Sequence, residues 1–253
     1  MCGRFTLTTP EEQLRSLFGL DFPEPYRPRY NIAPTQPVLT IRPNTRGKRE
    51  TALLRWGLVP SWSQDPRIAS KMINARGETL AEKPAFRQAF RMRRCLIVAD
   101  GFYEWHEANG HSQPYYFHRP NREPFAFAGL WDRWVGSDGS PLETCTIVNT
   151  ASEGNARMSA IHHRIPVLLD PDDYDRWLDP REANVDRLAE LFQPCSEDWL
   201  VSVPVSTAVN RVALDDPICL EPLGSQVDLA MTDAKSSSRR KPLERPDQPS
   251  LWG

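Results

Sequence analysis

The second residue, Cys2, is the residue whose chemistry depends most on its position in the chain. Met1 stands before it, and an initiator methionine before a small residue is usually removed. Removal leaves Cys2 as the first residue, with a thiol and a free α-amine on adjacent carbons. The amine titrates near roughly 8 and the thiol near about 8.5, so both have nucleophilic fractions at neutral pH. Such an aminothiol can attack an aldehyde with nitrogen and then close a five-membered thiazolidine with sulfur.

Two other interpretations of Cys2 stay open from this residue alone. The thiol can act as the nucleophile, with the α-amine as its own base. Alternatively, Cys2 is a small buried apolar residue near a frayed terminus, with no chemical role. The remainder of the chain has to decide between them.

Four further segments combine turn-prone backbone with side chains that transfer protons or bind anions. Taken singly, each has an ordinary explanation. Glu104 lies between two aromatic residues as a strand residue facing solvent does, His162 is a loop residue, and Asn74 can simply form a turn. The segments are Ile73-Asn74-Ala75-Arg76 with Glu78-Thr79, Asp100-Gly101-Phe102-Tyr103-Glu104-Trp105, Ile161-His162-His163-Arg164-Ile165-Pro166 and Tyr30-Asn31-Ile32-Ala33-Pro34.

Composition limits the class of protein. The chain has 253 residues, enough for one large domain or two small ones with a sizeable core. Its net charge of −2 excludes a generally basic nucleic-acid binder but not a local basic cleft. No basic and apolar leader precedes Cys2, and no apolar run approaches the roughly 20 residues that span a membrane, so we expect a cytoplasmic protein. Five cysteines, widely spaced and without a CxxC pair, indicate reduced thiols and predict no zinc site, metal or cofactor.

The elements that must position these segments are short. Thr9 as N-cap, Pro10 and Glu12 predict the start of a first helix, with Leu14, Leu17 and Phe18 on one face and Gly19 at its end. Proline-rich residues 21–37 are expected to be extended and irregular. Helical patterns are found in four later segments, near Pro84–Phe90, Ser152–Ser159, Pro171–Leu178 and Val185–Phe192.

Apolar β-like runs alternate with these helices at irregular intervals, and Asn109-Gly110 predicts a hairpin turn. This rhythm favours an α+β fold with a mostly antiparallel, curved, barrel-like sheet core and flanking helices. We expect a domain at residues 1–228 and a disordered polar tail at 229–253. The runs are Val38–Ile41, Ala52–Leu58, Cys95–Ala99, Tyr115–His118, Phe125–Leu130, Thr144–Val148, Val167–Leu169 and Leu200–Val205.

Taken together and in this order, the motifs resemble those of one family. The chain resembles the SRAP proteins, which shield abasic sites in single-stranded DNA by covalent attachment. The resemblance runs from Cys2 to about Asn210 and rests on MCGRF, YNIAP, RWGLVPSW, INARGET, ADGFYEW, IHHRIPV and PVSTAVN.

The resemblance implies roles for matching positions. Cys2 joins the sugar aldehyde of the abasic site, Asn74 lies near the terminal amine, and Glu104 and His162 are catalytic. Arginines that hold DNA phosphates and an aromatic residue beside the unstacked lesion are implied at Arg4, Arg76, Arg164 and Trp62. Removal of Met1 by the protein itself is also implied.

Two positions depart from the family pattern. His163 stands where aspartate is common, and Ile165 where methionine is common. Neither change removes a catalytic group. His163 can alter the protonation or orientation of His162.

The chemistry of the residues is consistent with these roles. A glutamate whose pKa is raised by burial between Tyr103 and Trp105 can take a proton from the Cys2 amine and return one to the leaving hydroxyl. The same shuttle run backwards predicts slow reversal dependent on Glu104. An imine at the sugar also permits β-elimination, which is a lyase reaction.

The expected partner is single-stranded DNA containing abasic sites, bound covalently and with little base specificity. We expect no membrane association and a monomer, located with the nucleoid if the protein is bacterial. Arg87 and Arg91 are further phosphate-binding candidates, although the run 87–94 can equally be a solvated helix face. The sequence leaves open whether replication proteins bind the chain.

Two other function classes fit parts of the sequence. An N-terminal-nucleophile, class II-like glutamine amidotransferase also begins Met-Cys-Gly, but Arg4 and Phe5 replace its expected apolar continuation and no synthetase domain follows. A non-covalent module that binds single-stranded DNA shares the arginines and Trp62, but leaves Glu104 and His162 without a role.

Overall fold

The structure is a computed structural model that describes residues 2–21, 26–108, 110–182 and 184–223. Met1, Asn109 of the predicted hairpin turn and the predicted polar tail at 229–253 lie outside the described residues. Within the described ranges, no helix is long and apolar enough to cross a membrane.

The strands are more numerous than the apolar runs of the sequence indicate, and most of them are longer. Every predicted run lies within or beside an observed strand. The strands are β1 (Arg4–Leu7), β2 (Arg29–Ile32), β3 (Pro37–Pro43), β4 (Arg49–Trp56), β5 (Asn74–Arg76), β6 (Arg94–Ala99), β7 (Gly101–Ala108), β8 (His111–His118), β9 (Phe125–Val135), β10 (Pro141–Ala151), β11 (Arg164–Pro166), β12 (Leu168–Leu169) and β13 (Val201–Pro204).

The α-helices are short and lie between strands. They are α1 (Glu11–Phe18), α2 (Arg87–Met92), α3 (Ala156–Ser159), α4 (Tyr174–Leu178) and α5 (Val185–Ala189). Short 3-10 helices are also present in the described part of the chain, at Pro66–Lys71, Gly77–Thr79, Pro171–Asp173, Glu197–Trp199, Thr207–Asn210 and Pro217–Leu220.

Five strands close into a barrel. They follow the order β10-β4-β3-β6-β9, and the ring closes because β9 pairs with β10 over seven residue pairs from Val135–Pro141 to Gly129–Ile147. A second sheet has the order β13-β8-β7-β1-β2 and is antiparallel throughout. Parallel pairing occurs where β10 meets β4 and β5. The predicted α+β class with a mostly antiparallel, barrel-like core is therefore confirmed.

The chain start is anchored in the core by the aromatic residue of β1. The Phe5 side chain has no exposed surface, and its ring lies 5.1 Å from that of Trp56 and 5.9 Å from that of Phe127. Burial of one such side chain contributes about 2–3 kcal/mol. The anchor fixes the position of the residues immediately before it.

The first helix begins differently from the prediction. Pro10 occupies the N-cap without a side-chain capping bond, so the predicted N-cap Thr9 and its capping box with Glu12 are wrong. Thr9 instead donates its backbone N–H and its hydroxyl to the Asp100 carboxylate. The predicted end is right: Gly19 adopts φ 63°, the left-handed conformation that favours glycine.

Two further predictions about local structure need correction. Leu17 is 49% exposed, because only Leu14 and Phe18 of its helix face the core. Residues 21–37 are not irregular throughout, since β2 lies within them and pairs with β1. The hairpin is confirmed: Ala108 of β7 pairs with His111 of β8, and Gly110 has φ 76°.

Candidate functional site

Cys2 lies buried at the start of β1, with 1% of its surface exposed. Its carbonyl oxygen accepts a 2.8 Å hydrogen bond from the side-chain amide of Asn74, and its Sγ lies 3.6 Å from the carbonyl oxygen of Arg4. The Oδ1 of Asn74 is a buried acceptor that has no hydrogen-bond partner among the described residues. The side chain that bonds Cys2 therefore also carries a buried acceptor.

The far end of β1 is held by one carboxylate. Asp100 is buried between β6 and β7, and it accepts hydrogen bonds from the backbone N–H groups of Thr8 at 2.5 Å and Thr9 at 2.7 Å. The hydroxyl of Thr6 donates to the same carboxylate at 2.5 Å. A carboxylate that satisfies several donors at once fixes the turn after β1 and hence the register of the strand.

Glu104 reaches the chain start through that register. Arg4 of β1 pairs with Tyr103 of β7, so Glu104 lies next along the strand toward Cys2. Glu104 is 2% exposed, and burial raises the pKa of its carboxyl to about 7. Burial first, and then the charge of Glu104, raise the pKa of the Cys2 thiol. A carboxyl group that titrates near neutral pH can act both as a base and as an acid.

His162 lies in the turn between α3 and β11. Its Nδ1 accepts a 2.9 Å hydrogen bond from the backbone N–H of Arg164. Burial, and then the positive charge of the amino terminus, lower the pKa of the imidazole below its ordinary value. His162 is therefore mainly neutral at pH 7 and can accept or donate a proton.

The two departures from the family motif have simple packing roles. The exposed ring of His163 stacks on that of His162, with 4.4 Å between centroids and 25° between planes. Ile165 has no exposed surface and pairs with Thr150 in the strand register.

The sequence profile described as SOS response associated peptidase (SRAP) matches residues 1–212.

The chain belongs to the SRAP family.

Named relatives resemble this SRAP chain in sequence, and solved structures share its fold. The chain is 41% identical over 225 residues to the abasic site processing protein YoqW of Bacillus subtilis (strain 168), covering 87% of this chain and 99% of that one. It is 32% identical over 268 residues to the abasic site processing protein HMCES of Gallus gallus, covering 90% of this chain and 79% of that one. A Bacteroides thetaiotaomicron crystal structure has a TM-score of 0.78 at 22% identity, covering 88% of this chain and 100% of that one. A Bordetella bronchiseptica structure has a TM-score of 0.71 at 26% identity, covering 81% and 100%.

The residues of this SRAP chain that were predicted as catalytic are connected to Cys2 in different ways. Asn74 is bonded to Cys2, and Glu104 acts electrostatically on the Cys2 thiol. His162 is linked to them through β10, which pairs with both β5, the strand of Asn74, and β11, the strand that follows His162. Within the described ranges, no group of three or more His, Cys, Asp or Glu residues could hold a metal.

Two of the predicted phosphate-binding arginines of this SRAP chain have protein partners. The Nη1 of Arg4 donates to Asn31 Oδ1 and to the Val209 carbonyl oxygen, both at 2.8 Å. Arg164 forms a bidentate ion pair with Glu78. The hydrogen bonds of Arg4 favour a role in anchoring the chain. The ion pair with Glu78 restrains the side chain of Arg164.

Arg76 and Trp62 are exposed, as a nucleic-acid contact requires. Arg76 follows Asn74 by two residues on β5, so both side chains lie on the same face of the strand. Trp62 is 58% exposed. Its neighbours are fixed, because the Ser61 N–H donates to Asp132 and the Ser63 carbonyl accepts from the Trp134 indole.

The sequence alone did not indicate several residues that support the SRAP site. Asp215 accepts hydrogen bonds from the backbone N–H groups of Tyr30 and Asn31, at 2.6 and 2.9 Å. Asn149, buried in β10, accepts from the Arg164 guanidinium. The sequence does contain a sign that Asn149 has a special role, since it is a polar residue at the end of the apolar run Ile147–Val148. The sequence contains no such sign for Asp215, because its hydrogen-bond partners are more than 180 residues away.

Proposed function

We propose that this protein processes abasic sites in single-stranded DNA by forming a thiazolidine cross-link through Cys2. The observation that carries the proposal is the burial of Cys2 at a fixed chain start, bonded to Asn74 and beside Glu104. The names of the relatives, which describe abasic site processing proteins, support the same substrate.

The reaction uses the atoms of Cys2 and of the ring-opened sugar. The α-amine nitrogen attacks the aldehyde carbon C1′, and the oxygen takes up a proton to give a carbinolamine. Loss of that hydroxyl as water gives an imine. The thiol sulfur then adds to C1′ while its proton passes to nitrogen, so one amine, one thiol and one aldehyde give a thiazolidine and one water.

Glu104 is the proton carrier in this scheme. Its pKa near 7 supplies a carboxylate that takes a proton from the amine and an acid that protonates the leaving hydroxyl. Run backwards, the same transfers reopen the ring, so slow reversal depends on Glu104. His162 donates a proton to the sugar oxygen as the sugar ring opens.

The order of attack follows from the environment of Cys2. Burial raises the pKa of its thiol, so the thiolate is scarce at neutral pH and nitrogen attacks first. The Oδ1 of Asn74, which has no hydrogen-bond partner in the described part of the chain, is suited to accept a hydrogen bond from the Cys2 amine and to orient its lone pair. The later sulfur attack is intramolecular, and such steps reach effective molarities of about 10⁵ M or more.

Further activities follow from the same chemistry. The imine stage permits strand cleavage by β-elimination, and thiazolidine closure suppresses it. Met1 blocks the amine, so it has to be removed first, and we propose that the protein does this itself. We expect a monomer acting in the cytoplasm, at the nucleoid if the source is bacterial.

An assay with an oligonucleotide that carries one abasic site tests the proposal. We expect a conjugate that survives denaturing electrophoresis, and none with Cys2→Ala. Glutamine hydrolysis without a conjugate would instead identify an amidotransferase. A reversible mobility shift without a conjugate would identify a non-covalent DNA-binding module.

A further inference from the structure

Three exposed cations stand in line on one helix face, and we call them the α2 row. They are Lys83, Arg87 and Arg91, four residues apart. Arg87 and Arg91 lie in α2, and the N–H of Arg87 donates to the Lys83 carbonyl oxygen at 2.9 Å, so helical hydrogen bonding extends back to Lys83. Residues four apart share a helix face, with about 6 Å between successive members along the axis.

The helix under the row is firmly held. Its other side carries three buried residues, Phe86, Ala89 and Phe90. The Phe90 ring lies 5.8 Å from that of Phe192 and 6.2 Å from that of Trp177. At the end of α2, the Arg94 guanidinium donates to the carbonyl oxygens of Phe90 and Arg91, at 2.5 and 3.1 Å. The cations therefore extend from a packed support.

The row lacks the carboxylates that accompany other arginines of the chain. Arg93, beside the row, pairs with Asp132, whereas the side chains of the α2 row form no ion pair with any described residue. A helix face that is only solvated commonly alternates the two signs of charge. Like charges four residues apart destabilise a helix, so the row opposes the stability of α2. An anionic ligand would offset this repulsion.

The row begins close to the candidate site. Hydrogen-bonded turns join Arg76 to it, because Leu80 N–H donates to Gly77 and Lys83 N–H donates to Thr79. Such turns advance by about 2 Å or less for each residue, so the backbone of Lys83 lies within about 14 Å of Arg76. Arg76 is exposed and follows Asn74, the residue that bonds Cys2, on the same face of β5.

We propose that the α2 row is a second DNA-binding surface, which holds phosphates of the strand that flanks the lesion. The inference rests on the proposed function, which places a DNA strand at Cys2. The chain has a net charge of −2, so its attraction for DNA depends on local groups of cations. Phosphate contacts carry no sequence information, and the row therefore lengthens the bound strand without adding base specificity.

The test removes two charges from the row. Arg87→Gln with Arg91→Gln keeps a similar helix propensity and relieves the like-charge repulsion, so the helix is expected to stay folded. The matched control is Arg46→Gln with Lys48→Gln, at two exposed cations between β3 and β4. Arg87→Lys with Arg91→Lys keeps both charges. All proteins carry Cys2→Ala, so that DNA binding is measured without cross-linking.

The measurement is the fluorescence anisotropy of two abasic oligonucleotides over a range of salt concentrations. The short one has two nucleotides on each side of the lesion, and the long one has about ten. For the long strand, the double glutamine variant should reduce the slope of log K against log salt by about 1.4, with about fivefold weaker binding in 0.1 M salt for each lost contact. Its binding of the short strand should match that of the control, and the lysine variant should keep the slope.

Three results would overturn the inference. An unchanged slope with the long strand would leave the row to solvent or to an acidic protein partner. An equal loss with the short strand, or in the control, would show only the general effect of net charge. Loss of the slope in the lysine variant would show that charge is not the cause. Failure of the wild type to form a conjugate would refute the proposed function, whereas the binding curves would still decide the role of the row.

Discussion

The side-chain amide of Asn74 donates a 2.8 Å hydrogen bond to the carbonyl oxygen of Cys2. This bond joins two sheets, because Asn74 belongs to β5 beside the barrel and Cys2 precedes β1 of the antiparallel sheet. It restrains the backbone of the residue that carries both reactive groups of the proposed reaction.

Asn74→Asp tests the importance of this bond. Aspartate has the same shape but no N–H, so its oxygen faces the Cys2 carbonyl oxygen. We expect conjugate formation to slow by about 10- to 100-fold, since small misplacements of reacting groups have effects of that order. Loss of the bond should lower the free energy of unfolding by about 1 kcal/mol, measured by urea denaturation. An unchanged rate would contradict the role of Asn74.

Glu104 should make the stability of the protein depend on pH in an unusual direction. Its pKa rises from an ordinary 4.5 to about 7 on folding, so the folded state binds the proton more tightly than the unfolded state. Stability is then fully present below pH 4.5 and falls as pH rises toward 7. We expect Glu104→Gln to remove this dependence and to be more stable than wild type at pH 8, by up to about 3 kcal/mol.

The same variant should lose the reaction. Glutamine cannot carry a proton, so both formation and reversal of the conjugate should slow by about 10²-fold or more. Glu107→Gln is the control, since Glu107 is exposed on the same strand. A Glu104→Gln protein that reverses the conjugate at the wild-type rate would exclude Glu104 as the proton carrier.

Trp62 should contribute to DNA affinity without contributing to stability. It is 58% exposed, so Trp62→Ala removes a stacking surface and little of the core. We expect a loss of about 1–3 kcal/mol in binding to an undamaged single strand, measured by fluorescence anisotropy. Trp62→Phe should keep most of the affinity. Val212→Ala, at a residue that is 50% exposed, should change nothing. Wild-type affinity in Trp62→Ala would exclude stacking on this residue.

Arg76 and Arg4 should respond differently to substitution. Arg76 is exposed, so Arg76→Gln should weaken DNA binding and reduce the slope of log K against log salt by about 0.7 for one lost phosphate contact. Arg4 bonds Asn31 and Val209, so Arg4→Lys should instead lower the free energy of unfolding by about 1–3 kcal/mol. A change of salt slope in Arg4→Lys, with stability unchanged, would restore the phosphate role for Arg4.

Local sequence signals predicted the parts of the fold whose cause is local. Gly19 ends α1 because its left-handed conformation needs a residue without a side chain. The Asn109-Gly110 pair predicted the hairpin of β7 and β8 for a similar reason. Short apolar runs in the sequence predicted most barrel strands, because a strand that faces a core carries apolar side chains.

Long-range partners explain the failures. Threonine is common at N-caps, but the backbone N–H and the hydroxyl of Thr9 both donate hydrogen bonds to Asp100, 91 residues away. Nothing in the residues around β5 predicts that three of its residues pair in parallel with β10. Arginine is a residue type that often binds phosphate. Only the folded chain brings Glu78, 86 residues away, to the guanidinium of Arg164.

The candidate site was predicted from its residue types and the family motifs, whereas its geometry was not. Cys2, Asn74 and Glu104 are each ordinary in isolation. Their proximity depends on the register of β1 against β7 and on the reach of Asn74 from another sheet. Neither can be derived from spacing along the chain.

The proposed function requires that the amine and thiol of Cys2, freed of Met1, join the sugar of an abasic site. Intact-mass analysis with peptide mapping, after incubation with an abasic oligonucleotide, tests it most directly. We expect a conjugate of the Met1-free chain and the oligonucleotide less one water, mapped to the peptide that begins at Cys2. An adduct on another side chain, full conjugation with Met1 still attached, or no adduct with the lesion in excess would contradict it.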